Sequence, residues 1–336
     1  MSSSSPVDSS NVWKLETDDP AYWDLYLSTR PEYSAQFFEQ MYAYHSLHCC
    51  SFDVAIDVGT GCGQSVPKLA THFAHVIATD NNSAHVDEAR RRLAHLSNQN
   101  VSFGVCAGED LASQYSHASV NFIAAAECMP LMDLDVAVSN FAQLLNPGGT
   151  LAMWFYGRPR FAEPEFVGPC QPLLDRILDC CFRKVVSGGG QAKRTAWQKA
   201  MRGMNSWLDD VQLQERQWGD VKRRKWNTHA EMPFFGRDAC DFEIERLNRI
   251  GKGEEVSEIR DDVFWEKKWK FAGLKDFIGA SFPGTKEMQD DDAEIQDLLK
   301  QLRSEMGGGE EVKKFTWPAV LILASRKDEA GQLPLM

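Results

Sequence analysis

The sequence predicts an α/β fold in which a mostly parallel sheet carries helices on both faces. Three observations predict it. Short apolar segments alternate with amphipathic segments between residues 54 and 156, which is the pattern of parallel strands joined by crossover helices. A glycine-rich turn follows the first apolar segment directly. Carboxylates stand at the ends of the first two strands, Asp57 and Asp80, where parallel sheets bind their ligands.

The alternation resolves into five strands and three helices. Apolar residues spaced i, i+3, i+4 and i+7 predict the helices, as where Val66, Leu69, Ala70 and Phe73 share one face. The third helix ends at a proline- and glycine-rich turn, residues 146–149. The predicted strands are Val54–Val58, His75–Thr79, Val101–Cys106, Ser119–Ala125 and Thr150–Tyr156, and the predicted helices are Gln64–Phe73, Ser83–Leu96 and Leu134–Leu145.

The remaining segments divide into a lid, a cap and a return to the sheet. Residues 1–11 are serine-rich and expected to be disordered, and residues 12–50 form an aromatic-rich helical segment that either closes over the ligand or packs on the core. Residues 51–157 are the core. Prolines and glycines break the periodicity over residues 158–254, where we expect a substrate cap.

Residues 255–328 are predicted to return to the core sheet, with residues 329–336 as a tail. This part contains two predicted helices, Lys267–Ile278 and Ala293–Met306, and a final strand, Lys314–Ser325. Four tryptophans of the cap, Trp197, Trp207, Trp218 and Trp226, either line the substrate pocket or form the cap's own core.

Charge excludes one class of partner. The 336 residues carry a net charge of −12 with an isoelectric point of about 5.2, which argues against a surface that neutralises the phosphates of a nucleic acid. A basic run, Lys222–Lys225, lies among acidic residues, and we interpret it as the solvated face of a helix.

Cysteine spacing and hydropathy exclude two further classes. The nine cysteines form no C-x-x-C pair and no cysteine–histidine cluster, so we expect free thiols and no metal site. The N-terminal residues are polar, and no apolar run approaches the ~20 residues that a membrane helix needs. We therefore expect no membrane partner, a cytoplasmic location, and a monomer or homodimer.

The glycine turn and the residue before it indicate which ligand binds. Gly59, Gly61 and Gly63 follow a G-x-G-x-G spacing, whereas dinucleotide sites use G-x-G-x-x-G. The Asp57 carboxylate just before the turn would repel a pyrophosphate but attract an ammonium group. The pattern therefore favours a cationic nucleoside that bears an amino acid, S-adenosylmethionine.

Asp80, at the end of the second strand, is placed to bind the ribose of that nucleoside. A carboxylate accepts hydrogen bonds only, and the two ribose hydroxyls need an acceptor in a fixed position. The alternative role for Asp80 is to cap the helix that begins near Ser83.

Taken together, these segments resemble the class I S-adenosylmethionine-dependent methyltransferases. The resemblance covers residues 22–157 and rests on AIDVGTGCG at Ala55–Gly63, on Asp80, on GED at Gly108–Asp110, and on LLNPGGTLAMWFYGRP at residues 144–159. It implies the Rossmann-like fold of that family, with a seven-stranded, mostly parallel sheet. Within the family, the sequence resembles the trans-aconitate methyltransferase type and its fungal small-molecule relatives.

The resemblance also implies roles for residues outside the glycine turn. Arg30 and Tyr33 match an Arg-Pro-x-Tyr segment that closes over the cofactor in related enzymes. Asn81 lies beside the ribose-binding position, and Gly108 and Glu109 match the backbone amide and acidic side chain that hold the adenine.

Two residues are candidate catalytic bases. The family's register places Glu127 at the end of the fourth strand, where it either takes a proton or contacts the cofactor. It also places Pro130 and Leu131 where relatives carry a His-Trp pair, and neither side chain can accept a proton. His229, the single histidine of the predicted cap, is either a base or a surface residue.

The sequence therefore favours methyl transfer from S-adenosylmethionine to a small molecule of secondary metabolism, at a carboxyl or hydroxyl oxygen, with nitrogen and sulfur acceptors left open. The first alternative is a methyltransferase fold that transfers no methyl group and serves as a regulator, partner subunit or pericyclic catalyst. The second is a nicotinamide-dependent dehydrogenase, which Asp57 and the glycine spacing disfavour.

Overall fold

The computed structural model describes residues 20–49, 51–97, 100–188, 190–228 and 234–333. The strands in these ranges are β1 Val54–Val58, β2 His75–Asp80, β3 Val101–Val105, β4 Val120–Ala126, β5 Leu145–Tyr156, β6 Arg160–Phe161, β7 Trp218–Trp226, β8 Glu255–Ile259, β9 Lys267–Trp269, β10 Lys313–Thr316 and β11 Ala319–Arg326. The helices are α1 Pro20–Thr29, α2 Ala35–Ser46, α3 Val66–Ala70, α4 Ser83–Arg92, α5 Ala94–Ser97, α6 Leu111–Gln114, α7 Leu134–Leu144, α8 Pro164–Ser187, α9 Gln191–Asn205, α10 Phe271–Gly279, α11 Thr285–Asp291 and α12 Ala293–Glu305.

The central sheet confirms the predicted α/β class. Its eight strands follow the order β3-β2-β1-β4-β5-β11-β7-β8. The first five are parallel, and β11 runs antiparallel between β5 and β7. The sheet has one strand more than predicted because β8 pairs in parallel with β7 at the edge. The carboxyl ends of β1, β2, β4 and β5 consequently lie along one edge.

Alternating side chains divide the core into two layers. In β4, Phe122 and Ala124 pack into one hydrophobic cluster, whereas Ile123 and Ala125 pack into the other. The first cluster also contains residues of α2, α8, α10 and α12, and the second contains residues of α7 and α9. Helices therefore cover both faces, as the near-continuous apolar strands require.

The basic run Lys222–Lys225 does not lie on a helix, so that interpretation is wrong. It belongs to β7, which pairs with β11 in the central sheet. Arg223 is fully buried and donates to the Glu254 carboxylate at 2.5 Å and to the backbone oxygens of Leu208 and Val211. Because these partners satisfy the guanidinium, a charged segment is stable inside the sheet. Residues 158–254 thus supply a sheet strand in addition to the two helices α8 and α9.

The predicted helix Lys267–Ile278 begins later than expected. Lys267–Trp269 forms β9, which pairs antiparallel with β10 in a second, three-stranded sheet, and α10 starts only at Phe271. The predicted helix Ser83–Leu96 is likewise divided at Leu93 into α4 and α5. Pairing between distant segments overrides local periodicity at β9.

Helix α1 and the residue that follows it are held by contacts with α4 and with the segment after α10. The Asp24 carboxylate pairs with Arg92 of α4 at 2.6 Å. At the other end, Arg30 donates to the backbone oxygens of Ala280 and Ser281, both at 3.0 Å, and Lys267 Nζ donates to the backbone oxygen of Ser28. None of the helices in the described ranges is both long and apolar enough to span a membrane.

Candidate active site

A cavity of about 410 Å³ opens at the carboxyl edge of the parallel strands. Its wall brings together the nine residues that the sequence predicts at the cofactor, which are separated by up to 79 positions in the chain: Arg30, Tyr33, Asp57, Gly59, Gly61, Asp80, Asn81, Gly108 and Glu109. Glu127 lines the same cavity. His229 lies outside the described residues, so its role stays a prediction.

The glycine turn forms the floor of the cavity next to β1. Gly59 and Gly61 have φ angles of +64° and +54°, in the left-handed region that glycine adopts without strain. A Cβ added to Gly59 would stand 2.6 Å from the Cβ of Cys128. Glycine at position 59 therefore lets the backbone pass close to the loop after β4.

Asp57, on the penultimate position of β1, is a buried carboxylate, with 2% of its surface exposed. Its Oδ2 accepts a hydrogen bond from the Thr60 hydroxyl at 2.6 Å. The pKa of Asp57 is raised to about 7, mainly because the carboxyl group is buried. The neighbouring Asp80 carboxylate also raises this pKa, whereas the Thr60 hydrogen bond lowers it. A cation bound beside Asp57 would favour its ionised form.

Asp80 holds the end of β2 to the glycine turn. Its Oδ2 accepts from the Gly61 backbone amide at 3.0 Å, and its Oδ1 accepts from the Asn82 amide at 2.9 Å. The ring of His85, which the sequence analysis did not single out, places Nδ1 3.3 Å from the same Oδ1. The cap of α4 is Asn82, whose side chain accepts from Ala84, so Asp80 does not serve as that cap.

The segment after β3 forms another part of the cavity wall. A Cβ added to Gly108 would stand 2.8 Å from the sulfur of Met132. The Glu109 carboxylate accepts from the backbone amide of Asp133 at 2.7 Å, which fixes it at the rim of the cavity.

Arg30 and Tyr33 close the cavity from the side of α1. The Arg30 guanidinium is 8% exposed and stacks on the Tyr26 ring, with 4.4 Å between its central carbon and the ring centroid. Its Nε is buried and has no hydrogen-bond partner among the described residues. Tyr33 packs against Trp154 and Trp265, with ring centroids 5.5 and 5.4 Å apart.

Glu127 lines the cavity and has an unusual backbone conformation. Its φ of +61° is uncommon for a residue with a side chain and is typical of functional positions. The Oε1 atom accepts from the Tyr156 backbone amide at 2.7 Å. Burial raises the pKa of Glu127 well above its usual range, although the Tyr156 amide and Arg30 lower it.

The far end of the cavity is mainly aromatic and aliphatic, and the buried Arg158 guanidinium lies there, 5.6 Å from the ring centroids of Phe182 and Phe234. It is lined by residues of β5, of α8 and α9, of the segment after α10, and of the loop that contains Phe234, among them Phe155, Leu178, Phe182, Met204, Phe234 and Phe282. The loop is anchored because the amides of Phe234 and Phe235 both donate to Asn205 Oδ1 at 3.0 Å. The four cap tryptophans are buried and do not line the cavity. Leu131 lines it and Pro130 does not.

Known proteins are similar in sequence to this chain over nearly its whole length. A methyltransferase domain family matches residues 55–149. Methyltransferase pgmE of Aspergillus terreus is 41% identical over 329 residues, covering 95% of this chain and 97% of the relative. Methyltransferase cfoB of Aspergillus candidus is 36% identical, covering 92% and 95% of the two chains.

The chain belongs to the class I S-adenosylmethionine-dependent methyltransferases. A solved structure from Anaeromyxobacter dehalogenans, assigned to the type II methyltransferases, shares the fold at a TM-score of 0.53 and 18% identity, over 88% of this chain and 97% of that one. The family assignment decides against a nicotinamide-dependent dehydrogenase, and it establishes S-adenosylmethionine as the cofactor of this methyltransferase.

The residues of the cavity fit S-adenosylmethionine. Within the part of the chain that the structure describes, the buried Asp57 carboxylate has no cationic side chain at ion-pair distance, and the buried Arg30 guanidinium has no acceptor at its Nε. These charges complement the ammonium and carboxylate of the cofactor's amino-acid end. Among the described residues, no group of three or more histidine, cysteine or acidic side chains is arranged to hold a metal ion.

Several cavity residues escaped the sequence analysis. Trp23 and Tyr26 of α1, His85 of α4 and Tyr156 at the end of β5 all line the cavity. A sequence signal existed for two of them. His85 follows a strand-end carboxylate by little more than one helical turn, and Tyr156 ends a strand of the parallel sheet, so both are near the binding edge.

Proposed function

We propose that this methyltransferase methylates an oxygen, hydroxyl or carboxyl, of a small aromatic or apolar molecule of secondary metabolism. One observation carries the proposal: the charged end of the cavity continues into a chamber of aromatic and aliphatic side chains within a single cavity. An apolar chamber of this kind selects a ligand by burial of apolar surface. The resemblance to fungal small-molecule methyltransferases supports the metabolic class.

The charged end is proposed to hold the cofactor through the residues already described. Asp57 faces the ammonium, Arg30 the carboxylate and Asp80 the ribose. Asn81 lies beside the ribose, Gly108 and Glu109 surround the adenine, and Tyr33 covers the amino-acid end. When bound, the cofactor supplies an electrophilic methyl group on a positively charged sulfur.

Glu127 is the proposed base for a hydroxyl acceptor. Its Oε1 is held by the Tyr156 amide at 2.7 Å, which leaves Oε2 to accept the acceptor's proton. A carboxylate whose pKa is raised by burial is a stronger base than an exposed one, and general bases work best with a pKa near the working pH. A carboxyl acceptor is already ionised and would not need this step.

The aromatic lining contributes alignment and exclusion of water. Phe155, Phe182 and Phe282 are each less than 7% exposed, so they offer a rigid surface against which a planar acceptor can be oriented. Well-aligned reactants lower a barrier by about 7–11 kcal/mol. Because the acceptor is flanked by apolar walls, few waters remain to compete for the methyl group.

The direct test supplies S-adenosylmethionine with an isotopically labelled methyl group together with a metabolite extract. Mass spectrometry finds labelled products, and NMR identifies the atom that carries the label. We expect an oxygen-linked methyl on an aromatic or apolar product. A label found exclusively on nitrogen or sulfur would overturn the oxygen assignment, and binding of the cofactor with no labelled product from any extract would favour a protein without methyl transfer.

A further inference from the structure

A buried cation lies at the aromatic end of the cavity, where we propose that the methyl acceptor binds. Arg158 follows β5 by two residues, is 8% exposed and lines the cavity. Its guanidinium carbon lies 5.6 Å from the ring centroids of Phe182 and Phe234, which line the cavity as well. The charged group, and not only the aliphatic part of the side chain, therefore lies next to this acceptor chamber.

Two residues of α8 hold the guanidinium in place. Its Nη1 atom donates to the backbone oxygen of Asp175 at 3.0 Å, and its Nη2 atom donates to Asp179 Oδ1 at 2.5 Å. The same Oδ1 atom accepts from the backbone amide of Gly236 at 3.1 Å, which fixes the carboxylate between α8 and the loop that contains Phe234. Asp175 and Asp179 do not line the cavity, whereas Arg158 does. The protein therefore binds the guanidinium through acceptors that lie outside the acceptor chamber.

The guanidinium has more donors than the surrounding protein has acceptors for it. An arginine side chain carries five N–H groups, one on Nε and two on each terminal nitrogen. The bonds to Asp175 and Asp179 use two of these groups, and no further acceptor for Arg158 is found among the described residues. Each terminal nitrogen consequently keeps a second hydrogen that an oxygen in the chamber could accept.

Stability alone gives a poor account of this charged pair. Arg158 is 8% exposed and Asp179 is 6% exposed, so both charges are removed from most of the water that would solvate them. Replacing a buried ion pair by well-packed apolar residues is often neutral or stabilising. The rings of Phe182, Phe234 and Phe235, all within 5.7 Å of the guanidinium carbon, would provide such packing. A contact with the ligand explains the retained charge better.

We propose that the Arg158 guanidinium donates a hydrogen bond to an oxygen of the methyl acceptor other than the one that is methylated. The acceptor is then an aromatic compound that carries a carbonyl or carboxylate oxygen in addition to the methylated group. Because Asp179 already balances the charge of Arg158, a neutral carbonyl and a carboxylate can both bind there. The inference rests on the function proposed above, in which the aromatic end of the cavity binds the acceptor.

Ligand-observed NMR titrations with three matched probes test the proposal without methyl transfer. Ethylbenzene, acetophenone and benzoate share one aromatic ring, and the last two carry an oxygen that accepts from a guanidinium. The full chain is first saturated with S-adenosylhomocysteine, so that the probes do not occupy the cofactor end. Because the probes differ in hydrophobicity, the criterion is how their relative affinities change when Arg158 is replaced. A change for benzoate alone assigns a carboxylate, and a change that includes acetophenone assigns a carbonyl oxygen.

The Arg158→Met variant removes the donors and keeps an unbranched side chain. We expect its affinity for at least one oxygen-bearing probe to fall about tenfold relative to its affinity for ethylbenzene. Arg160→Met is the matched control, because Arg160 lies 3.7 Å from the Asp175 carboxylate but does not line the cavity. The control should bind all three probes as the unaltered protein does. Unchanged relative affinities in Arg158→Met, or an equal change in Arg160→Met, would overturn the proposal.

A double variant covers the case in which Arg158→Met does not fold because Asp179 is left as an unpaired charge. Arg158→Met combined with Asp179→Asn removes both charges and keeps Oδ1 as an acceptor for the Gly236 amide. It should show the same change in relative affinity, and a double variant that binds the probes as the unaltered protein does contradicts the proposal. These titrations are separate from the labelling experiment above: a label on nitrogen or sulfur would refute the oxygen assignment and leave the Arg158 result standing.

Discussion

At the scale of single residues, the buried Asp57 carboxylate, which we propose faces the cofactor's ammonium group, should make cofactor binding depend on pH. Its pKa is about 7 in the site without cofactor, and the ionised form is the one that attracts an ammonium. Affinity for S-adenosylhomocysteine should therefore fall as pH decreases below about 7, by up to about tenfold per pH unit. Calorimetry between about pH 5.5 and 7.5 measures the slope.

The Asp57→Asn variant supplies the control for that slope. Its binding should be weaker at neutral pH, because the amide carries no charge, and nearly independent of pH over the same range. The assignment fails if the variant shows the same slope as the unaltered protein, since the titrating group would then lie elsewhere.

The Glu127→Gln variant shows whether Glu127 acts as a catalytic base or only contacts the cofactor. The amide keeps the shape and cannot take a proton, so turnover of a hydroxyl acceptor should fall about 100-fold or more while S-adenosylhomocysteine affinity changes little. In the unaltered enzyme, turnover should rise with pH, because burial raises the pKa of Glu127 and the ionised form is the base. Measurements of kcat and of calorimetric Kd decide between the roles, and equal losses in both would assign Glu127 to the cofactor.

At the scale of elements, the glycine turn after β1 depends on two different constraints. Gly61→Ala adds a Cβ whose nearest neighbour is 3.9 Å away, so it should cost only the left-handed backbone, about 1–2 kcal/mol. Gly59→Ala also meets Cys128 at 2.6 Å and should destabilise the protein more. Urea unfolding compares both with Gly253→Ala, which meets open space; equal losses at 59 and 61 would contradict the steric role.

Helix α2 is docked on the sheet by a neutral histidine. The fully buried His45 bonds Thr150 Oγ1 at 2.8 Å and the Ser51 backbone oxygen at 3.0 Å, and burial lowers its pKa below 6.5. The folded state therefore binds this proton less readily than the unfolded chain, so stability is complete above about pH 6.5 and declines as the pH falls further. The free energy of unfolding falls by up to about 1.4 kcal/mol for each pH unit in this range.

Chemical unfolding at a series of pH values measures the contribution of His45. The His45→Asn variant should be less stable at neutral pH and should lose part of the acid slope, whereas replacement of the exposed His117 should leave the slope intact. An unaltered slope in His45→Asn would show that other groups account for the acid sensitivity.

The elements that the sequence predicted are those encoded locally. Strands β1 and β2 and the glycine turn between β1 and α3 follow from short apolar runs bounded by glycine and acidic residues. Strands β7 and β9 were missed because their sequences, WGDVKRRKW and KKW, lack the apolar alternation of a strand. Their pairing depends on partners about a hundred or fewer positions away, β11 and β10, and a sequence window does not contain such partners.

At the scale of the whole molecule, the cavity draws its walls from residue 23 to residue 282, so a ligand in it should stabilise the entire chain. S-adenosylhomocysteine at about 100 times its Kd should add about 2.7 kcal/mol to the free energy of unfolding. Thermal unfolding with and without ligand measures the effect. Asp80→Ala should lose most of the shift at the same concentration, and a full shift in that variant would exclude Asp80 from the ribose site.

The sequence predicted those site residues whose type and position together indicate one role. Asp57, Asp80 and the glycines combine a distinctive residue type with a strand end, so they could be named before any coordinates. For His85 and Tyr156 the signal was weak, a position near a strand end, because a histidine in a helix and a tyrosine in a buried strand also occur as packing residues. The residues of the aromatic chamber could not be predicted from the sequence either, because they come from five separate segments of the chain.

The two ends of the cavity differ in how the chain encodes them. Most of the proposed cofactor end comes from residues between Asp57 and Glu127, a stretch that lies inside the region matched by the methyltransferase domain family, residues 55–149. The acceptor chamber comes almost wholly from residues 155–282. Exchanging residues 155–282 between relatives should therefore change the preference for the methyl acceptor without changing the methyl donor. New acceptor specificities can then evolve in this segment while the donor site stays the same.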